Sequence, residues 1–333
     1  MDDAHDPGTT AGSERAEAVR KGAVQPITTA RGTSILIGVA SWTDPSMTAT
    51  GVFYPVGVSS PEARLRYYAS RFPLVEVDST YYAIPARRSA ELWVERTPPG
   101  FVFDAKAHAL MTGQPSEVNR LPGYIRDALP ERLAKQERVY ATDLPDEVRD
   151  EVWLAFLDAL SPLRESGRMG SLLLQFPRWF TPTRASAALL EDAARRLDGW
   201  RTAVEFRNRE WFSDRLRKRT LALLQRNGLV HVVVDAPPGF ESSVPAVPAA
   251  TSRALAVVRF HGRNTNTWEA KVTRVSDRFR YFYDREQLRG WLPLITAITE
   301  QSEEVHLVFN NCYGNYATTN ALEMASMILD AGL

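Results

Sequence analysis

Eight short apolar runs, nearly all separated by segments of helical periodicity, are the strongest constraint on what this chain can fold into. They are Ser34–Ala40, a run opening at Leu74, Phe101–His108, Gly170–Pro177, Thr202–Arg207, Leu229–Asp235, Ala254–Phe260 and Val305–Phe309. No hairpin signal such as Asn-Gly joins adjacent runs. Alternating β and α segments imply parallel strands linked by right-handed crossovers. Eight such units within roughly 250–300 residues favour a closed barrel over an open doubly wound sheet. The expected fold class is therefore α/β, a (β/α)8 TIM-barrel-like fold. No Gly-x-Gly-x-x-Gly follows the first run, which weighs against an open dinucleotide-binding sheet.

The helices come from 3.6-residue periodicity. Pro61 opens one that runs from Glu62 to Arg71, with Leu65, Tyr68, Ala69 and Phe72 on one side. Others are expected over Ala90–Thr97, Thr183–Leu197, Ser213–Arg226, Glu286–Thr299 and Asn315–Ile328. The 61 residues from Ala109 to Met169 hold no convincing strand. They carry a helix near Tyr124–Lys135 and a stronger one at Asp146–Leu160, where Val148, Val152, Phe156 and Leu160 repeat every fourth position. So long an interruption after the third strand reads as a helical insertion, 109–169, forming a lid or side subdomain.

The first 31 residues are rich in Ala, Gly, Thr, Asp and Arg and poor in large apolar side chains, so 1–32 is expected to be a disordered extension. Residues 33–333 then form one domain, which 44% hydrophobic content can supply with a core. Forty basic residues balance forty acidic ones, which makes nucleic acid or an anionic membrane surface unlikely partners. No apolar run approaches the ~20 residues of a membrane span. The N-terminus lacks the apolar core of a secretory signal. The single cysteine, Cys312, fits a reducing cytoplasm, so a cytoplasmic protein is expected. Nothing in the pattern encodes an oligomeric state.

Chemistry enters at the ends of the strands, where barrels build their sites. In order these ends carry Trp42; Glu76 and Asp78; Lys106 and His108; Gln175; Glu205 and Arg207; Asp235; Arg259, His261 and Arg263; and Asn310 with Asn311. Polar residues at strand ends are common. Paired i, i+2 polar residues in three separate strands are not explained that way, because such pairs stack two polar layers on one face. Buried carboxylates need partners, and the partners are present: Glu76, Asp78, Glu205 and Asp235 against Lys106, Arg207, Arg259 and Arg263.

That balance limits the reaction. A two-metal hydrolase would show an excess of acids and histidines, so no metal and no cofactor are expected. A lone His261 at a strand end reads as a hydrogen-bonding or acid/base group. No Gly-x-Ser-x-Gly elbow supports a serine nucleophile. Cys312 reads as an inert small residue, although a nearby helix start could lower its pKa. The Arg278–Tyr283 run of arginine and aromatics resembles a stacking surface for single strands, but packing on the barrel rim accounts for it better at zero net charge.

The motifs Gly38-Val-Ala-Ser-Trp42, Phe53-Tyr-Pro55, Val75-Glu-Val-Asp-Ser-Thr-Tyr-Tyr82, Phe103-Asp-Ala-Lys106, Leu174-Gln-Phe-Pro177, Val204-Glu-Phe-Arg207, Arg259-Phe-His-Gly-Arg263 and Phe309-Asn-Asn311 occur in one order. Together they resemble the YecE-like family, domain of unknown function number 72, from Ser34 to Leu333. The resemblance implies a TIM-barrel-like fold and no particular reaction. One departure is Asp78, where that family usually has Asn, which adds a negative charge to the inner face.

The functional expectation is an enzyme acting on a small polar, possibly anionic substrate by acid/base chemistry without tightly bound metal. Glu76, Glu205, Lys106 and His261 are the catalytic candidates. Trp42, Asp78, Gln175, Arg207, Asp235, Arg259, Arg263, Asn310 and Asn311 are the candidates for substrate or anion binding, with Trp42 as a wall of the pocket. The alternatives are a metal-dependent hydrolase or nuclease, and a non-catalytic protein that binds nucleic acid or a partner.

Overall fold

The computed structural model describes residues 22–49, 52–272 and 275–333. Its strands in chain order are β1 (Ile27–Thr28), β2 (Ser34–Ala40), β3 (Leu74–Val77), β4 (Val102–Lys106), β5 (Ser116–Glu117), β6 (Arg138–Val139), β7 (Met169–Gln175), β8 (Thr202–Glu205), β9 (Val230–Asp235), β10 (Ala256–Phe260) and β11 (Glu304–Phe309). Eight of them, β2, β3, β4 and β7 to β11, pair in parallel around a closed ring, and β2 meets both β11 and β3 to shut it. All eight sequence runs became barrel strands. Each is buried along nearly its whole length, as expected for strands with side chains inside and helices outside.

The register decides which residues share the interior. Across β2, β3 and β4, Ala40 pairs with Glu76 and Glu76 with Asp104. Gln175 of β7 pairs with Glu205 of β8. Arg259 of β10 pairs with Val234 on one side and Val308 on the other. Gly38 and Ala40 alternate with Ile37 and Val39 along β2. At Gly38 a Cβ would lie 2.0 Å from the Leu74 carbonyl oxygen, so glycine is required where β3 first meets β2. The Tyr68 hydroxyl sits at the same seam, accepting from Val39 N and donating to Leu74 O.

Three expectations are corrected. First, residues 22–31 of the extension are structured; residues 1–21 lie outside the described residues. β1 pairs antiparallel with Ser34 and Ile35, because β3 joins β2 only from Gly38 onward and leaves that edge open. Val24 and Ile27, the large apolar residues of 22–31, are both in the core. Second, the 109–169 insertion is not purely helical. Its first part holds the two-stranded β5–β6 sheet and short helices around a small core of its own, including Leu121, Ile125, Leu133 and Val139. Its last helix, Asp146–Glu165, packs Trp153, Phe156, Leu160 and Leu163 on the barrel and serves as the barrel's own third helix.

Third, two expected helices are split. Pro130 divides Tyr124–Lys135 into Gly123–Asp127 and Glu131–Ala134, because proline clashes with a helical predecessor. Gly290 and Pro293 likewise break Glu286–Thr299 into Arg285–Arg289 and Leu292–Thr299. Among the described residues no helix is long and apolar enough to cross a membrane.

Candidate active site

At the carboxyl end of the barrel the inner polar residues form one knot around Arg259. Its guanidinium donates through Nη1 to Glu205 Oε2 at 2.5 Å and through Nη2 to Glu76 Oε1. All three side chains are out of solvent. Glu205 Oε1 accepts two further bonds, from Arg207 Nε at 2.5 Å and Gln175 Nε2 at 2.7 Å, and lies 3.1 Å from His261 Nε2. Asn310 Nδ2 lies 2.9 Å from His261 Nδ1. His261 Nε2 also lies 3.2 Å from Arg207 Nη2, so the same ring nitrogen faces a carboxylate and a guanidinium. Charge-assisted bonds of this kind roughly double neutral ones in strength.

The carboxylates divide by environment. Burial alone would raise Glu205, but Arg207, Arg259 and His261 outweigh it and hold the carboxyl well below the usual range. Burial pushes Glu76 up to about 8 against the pull of Arg259, and neighbouring Asp78 adds to the rise. Asp78 is held below its ordinary value, because Lys106 and Arg259 outweigh its burial. At neutral pH one proton therefore resides on the Glu76 side of the Glu76–Asp78 pair. Burial also pushes the Lys106 ammonium down, with Asp78 opposing and Arg259 adding. His261 falls to about 3 through burial and the Arg207 charge, so its imidazole is neutral.

Only part of this knot borders a cleft. β3 ends at Val77, and a tight turn over Asp78–Tyr81 brings Asp78 to the mouth. There it joins Lys106, Gln175, Arg207 and Asn310 as walls of a cleft of about 450 Å³. That volume lies within the range of small-molecule sites. The other walls are largely aromatic, among them Tyr81, Trp179, Trp268 and Phe279, and Gln114 of the insertion closes one side. Gln114 accepts from the Tyr81 hydroxyl at 2.9 Å and donates to Gln175 O at 3.0 Å. Among the described residues, five cationic side chains line the cleft (Lys106, Arg178, Arg207, Lys271 and Arg278) against two acids, Asp78 and Glu269.

The remaining sequence candidates lie elsewhere. Trp42 is not a pocket wall: it packs edge-on against Trp93 and Phe103, in the layer between sheet and helices. Asn311 is fully buried, and its amide nitrogen donates to Tyr281 O and Asn320 Oδ1, which ties the last two loops together. Arg263 does not face the central cleft. Its Nε donates to Asp235 at 2.9 Å, Trp291 donates to the same carboxylate at 3.2 Å, and the pair borders a separate cleft of about 830 Å³ beside Pro238 and Val244. Arg259, Glu76, Glu205 and His261 are buried beneath the cleft floor. Cys312 is buried, its thiol donates to Ala40 O at 2.8 Å, and burial pushes it up, so it is no nucleophile. His108 is buried beside Ser116, and burial lowers it to about 4.

Sequence reasoning missed a second polar cluster at the opposite end of the barrel. His306 Nδ1 meets Asp104 Oδ2 at 2.9 Å and its Nε2 meets Glu304 Oε1 at 3.0 Å. Burial would lower His306, but the two carboxylates raise it to about 9. A bulge between β4 and β7 sets Gly170 and Ser171 opposite Asp104, and Ser171 Oγ donates to Asp104 at 2.8 Å. The i, i+2 spacing of Glu304 and His306 is the same signal used at the other strand ends. It went unread because it lies at the start of a strand.

A family model described as "Protein of unknown function DUF72" matches residues 36–332. In sequence the chain is similar to UPF0759 protein YunF of Bacillus subtilis (strain 168), with 31% identity over 297 residues, 88% of this chain and 94% of that protein. In structure it is similar to a DUF72 family protein from Enterococcus faecalis V583, at 26% identity and a TM-score of 0.68, over 88% of this chain and 97% of that one. A DUF72 family protein from Thermotoga maritima MSB8 is similar at 28% identity and a TM-score of 0.67, over 88% and 98% of the two chains.

Proposed function

This chain belongs to the DUF72 family of proteins of unknown function, so its reaction must be argued from its site, and we propose that it is an enzyme acting on a small anionic substrate by acid/base chemistry at the barrel mouth. The observation that carries this reading is the charge of the cleft: five cations against two acids, in a chain whose charges otherwise cancel. Arginine forks suit carboxylate or phosphate oxygens. The aromatic walls suit the apolar part of the same molecule.

Proton transfer falls to the Glu76–Asp78 pair and to Lys106. Asp78 and Lys106 touch the cleft, and Glu76 behind them holds a proton at neutral pH. Such pairs of carboxyls with divergent pKa values mark acid/base assignments. Glu205 and His261 are positioning residues in this reading, because Glu205 already accepts bonds from Arg207, Gln175 and Arg259 and His261 is neutral and enclosed. The metal-dependent alternative fits the donor set poorly. Arg259 fills the gap between Glu76 and Glu205, and among the described residues no group of three or more His, Cys, Asp and Glu is placed to hold a metal ion.

Titration with inorganic phosphate tests the anion site. It should raise the melting temperature of the wild type, and Arg207→Gln should weaken the response while keeping a donor to Glu205. A wild type indifferent to phosphate, or a variant with an unchanged response, would remove the support for an anionic substrate.

A further inference from the structure

The Proposed function leaves Lys106 as one cation among several, yet its surroundings differ from those of the arginines beside it. Only five of the forty basic residues are lysines. Lys106 sits at the end of β4 with its side chain 14% exposed, inside the mouth of the barrel. Among the described residues its Nζ donates no hydrogen bond. The nearest carboxylate oxygen, Asp78 Oδ1, is 3.8 Å away, and the Tyr81 ring centroid lies at 4.7 Å. A lysine placed for structure would close to bonding distance, as Lys135 does on Glu131 at 2.5 Å. Asp78 Oδ1 is itself buried without a hydrogen-bond partner. Both residues line the cleft, and amine and carboxylate stay 3.8 Å apart without bonding each other.

We propose that Lys106 is a nucleophile, condensing through Nζ with the carbonyl carbon of an anionic aldehyde or ketone to form a protonated imine. The inference rests on the anionic-substrate reading and names the reactive group of that substrate. Lysine, unlike arginine, can shed its proton when desolvated beside other cations, which is how amine nucleophiles are activated. Here burial and the Arg259 charge act in that direction.

In the first step the Nζ lone pair attacks the carbonyl carbon and a C–N bond forms. The carbonyl π electrons move to oxygen, which takes a proton from the Glu76–Asp78 pair. In the second step that hydroxyl leaves as water, taking up the proton lost from nitrogen, and the C=N bond forms. Summed, neutral amine, carboxylic acid and carbonyl give iminium, carboxylate and water, with no outside oxidant or reductant. Arg207 and Arg278, on the same cleft walls, would hold the substrate's anionic group.

The test is reductive trapping of the full-length wild type with glyoxylate and sodium cyanoborohydride at neutral pH, with peptide mapping of the adduct. Lys106 should be labelled roughly tenfold faster than the exposed Lys135, as a desolvated amine beside other cations is activated, and phosphate should suppress that labelling. Lys106→Arg should remove the fast adduct and leave the slow ones. Labelling of Lys106 no faster than Lys135, with phosphate still binding, would overturn the nucleophile and spare the anion site. If labelling is slow and phosphate does not bind, both readings fall.

Discussion

Glu205 and Arg259 are bonded at 2.5 Å with both side chains fully removed from solvent, and they come from strands that are not neighbours. β9 lies between β8 and β10, so the pair reaches across the interior of the barrel. The same guanidinium also bonds Glu76 of β3, so three separate strands meet in one ion cluster. Such a cluster gives limited net stability because desolvation opposes the Coulomb attraction, but breaking one member leaves an uncompensated charge.

Glu205→Ala should therefore cost ~3–5 kcal/mol, the loss typical of removing one partner from a buried pair. It strands Arg259 and removes the main partner of Arg207. Urea denaturation of the variant measures this. A loss below ~1 kcal/mol would mean that water enters the knot and screens it.

Stability should fall as pH rises through the alkaline range, in part because of His306. Its folded pKa, raised to about 9, lies above the ordinary histidine value. The stabilisation is complete below pH ~6.5 and disappears as pH approaches 9, amounting to at most ~3 kcal/mol. Glu76, raised to about 8, contributes in the same direction at lower pH. Denaturation midpoints of His306→Gln should show a shallower decline between pH 6.5 and 9 than the wild type. Parallel curves would show that the Asp104–His306 bond is not ionic.

Gly170→Ala should destabilise by ~1–3 kcal/mol, as overpacking of a filled interior does. The added Cβ would lie 2.5 Å from Asp104 Oδ1 and 2.9 Å from His306 Cε1. The phosphate response should be unchanged, since the clash lies at the far end of the barrel. A thermal melt with and without phosphate separates the two effects.

Arg263→Ala should leave phosphate binding at the central cleft intact, because Arg263 is engaged by Asp235 and borders the other cleft. Calorimetric titration of the variant checks this. A lost phosphate signal would place the anion between the loops after β10 and β11 instead.

Ile27→Ala should cost ~2–5 kcal/mol, the usual range for a large-to-small change in a core. Ile27 is 2% exposed and its strand covers the open edge of β2. A chemical melt indistinguishable from wild type would return residues 22–31 to the status of a loose extension.

The barrel was legible in the sequence because strand periodicity and helix periodicity are local, and alternation of the two leaves few topologies. The candidate residues were legible because i, i+2 polar pairs must share one face of a strand. Three readings failed for want of non-local information. Val24 and Ile27 were too sparse to register as a strand, since their pairing depends on where β3 joins β2. Trp42 continues the strand's numbering, but the chain has already turned outward there. The Pro130 break was visible, yet the helical pattern around it outweighed a single residue.

What the sequence by itself determined is therefore the eight barrel strands, their parallel order and the pool of ionic residues at their ends. Which residues pair, and which reach a ligand, was decided only by the closed barrel. Closure and stagger set the heights of the inner side chains, sinking Arg259, Glu205 and His261 below the floor and leaving Asp78, Lys106 and Arg207 on the walls. Burial then split two carboxyls of the same type, Glu205 anionic among three donors and Glu76 protonated beside Asp78. That difference comes from distance and desolvation, and neither exists until the strands have met.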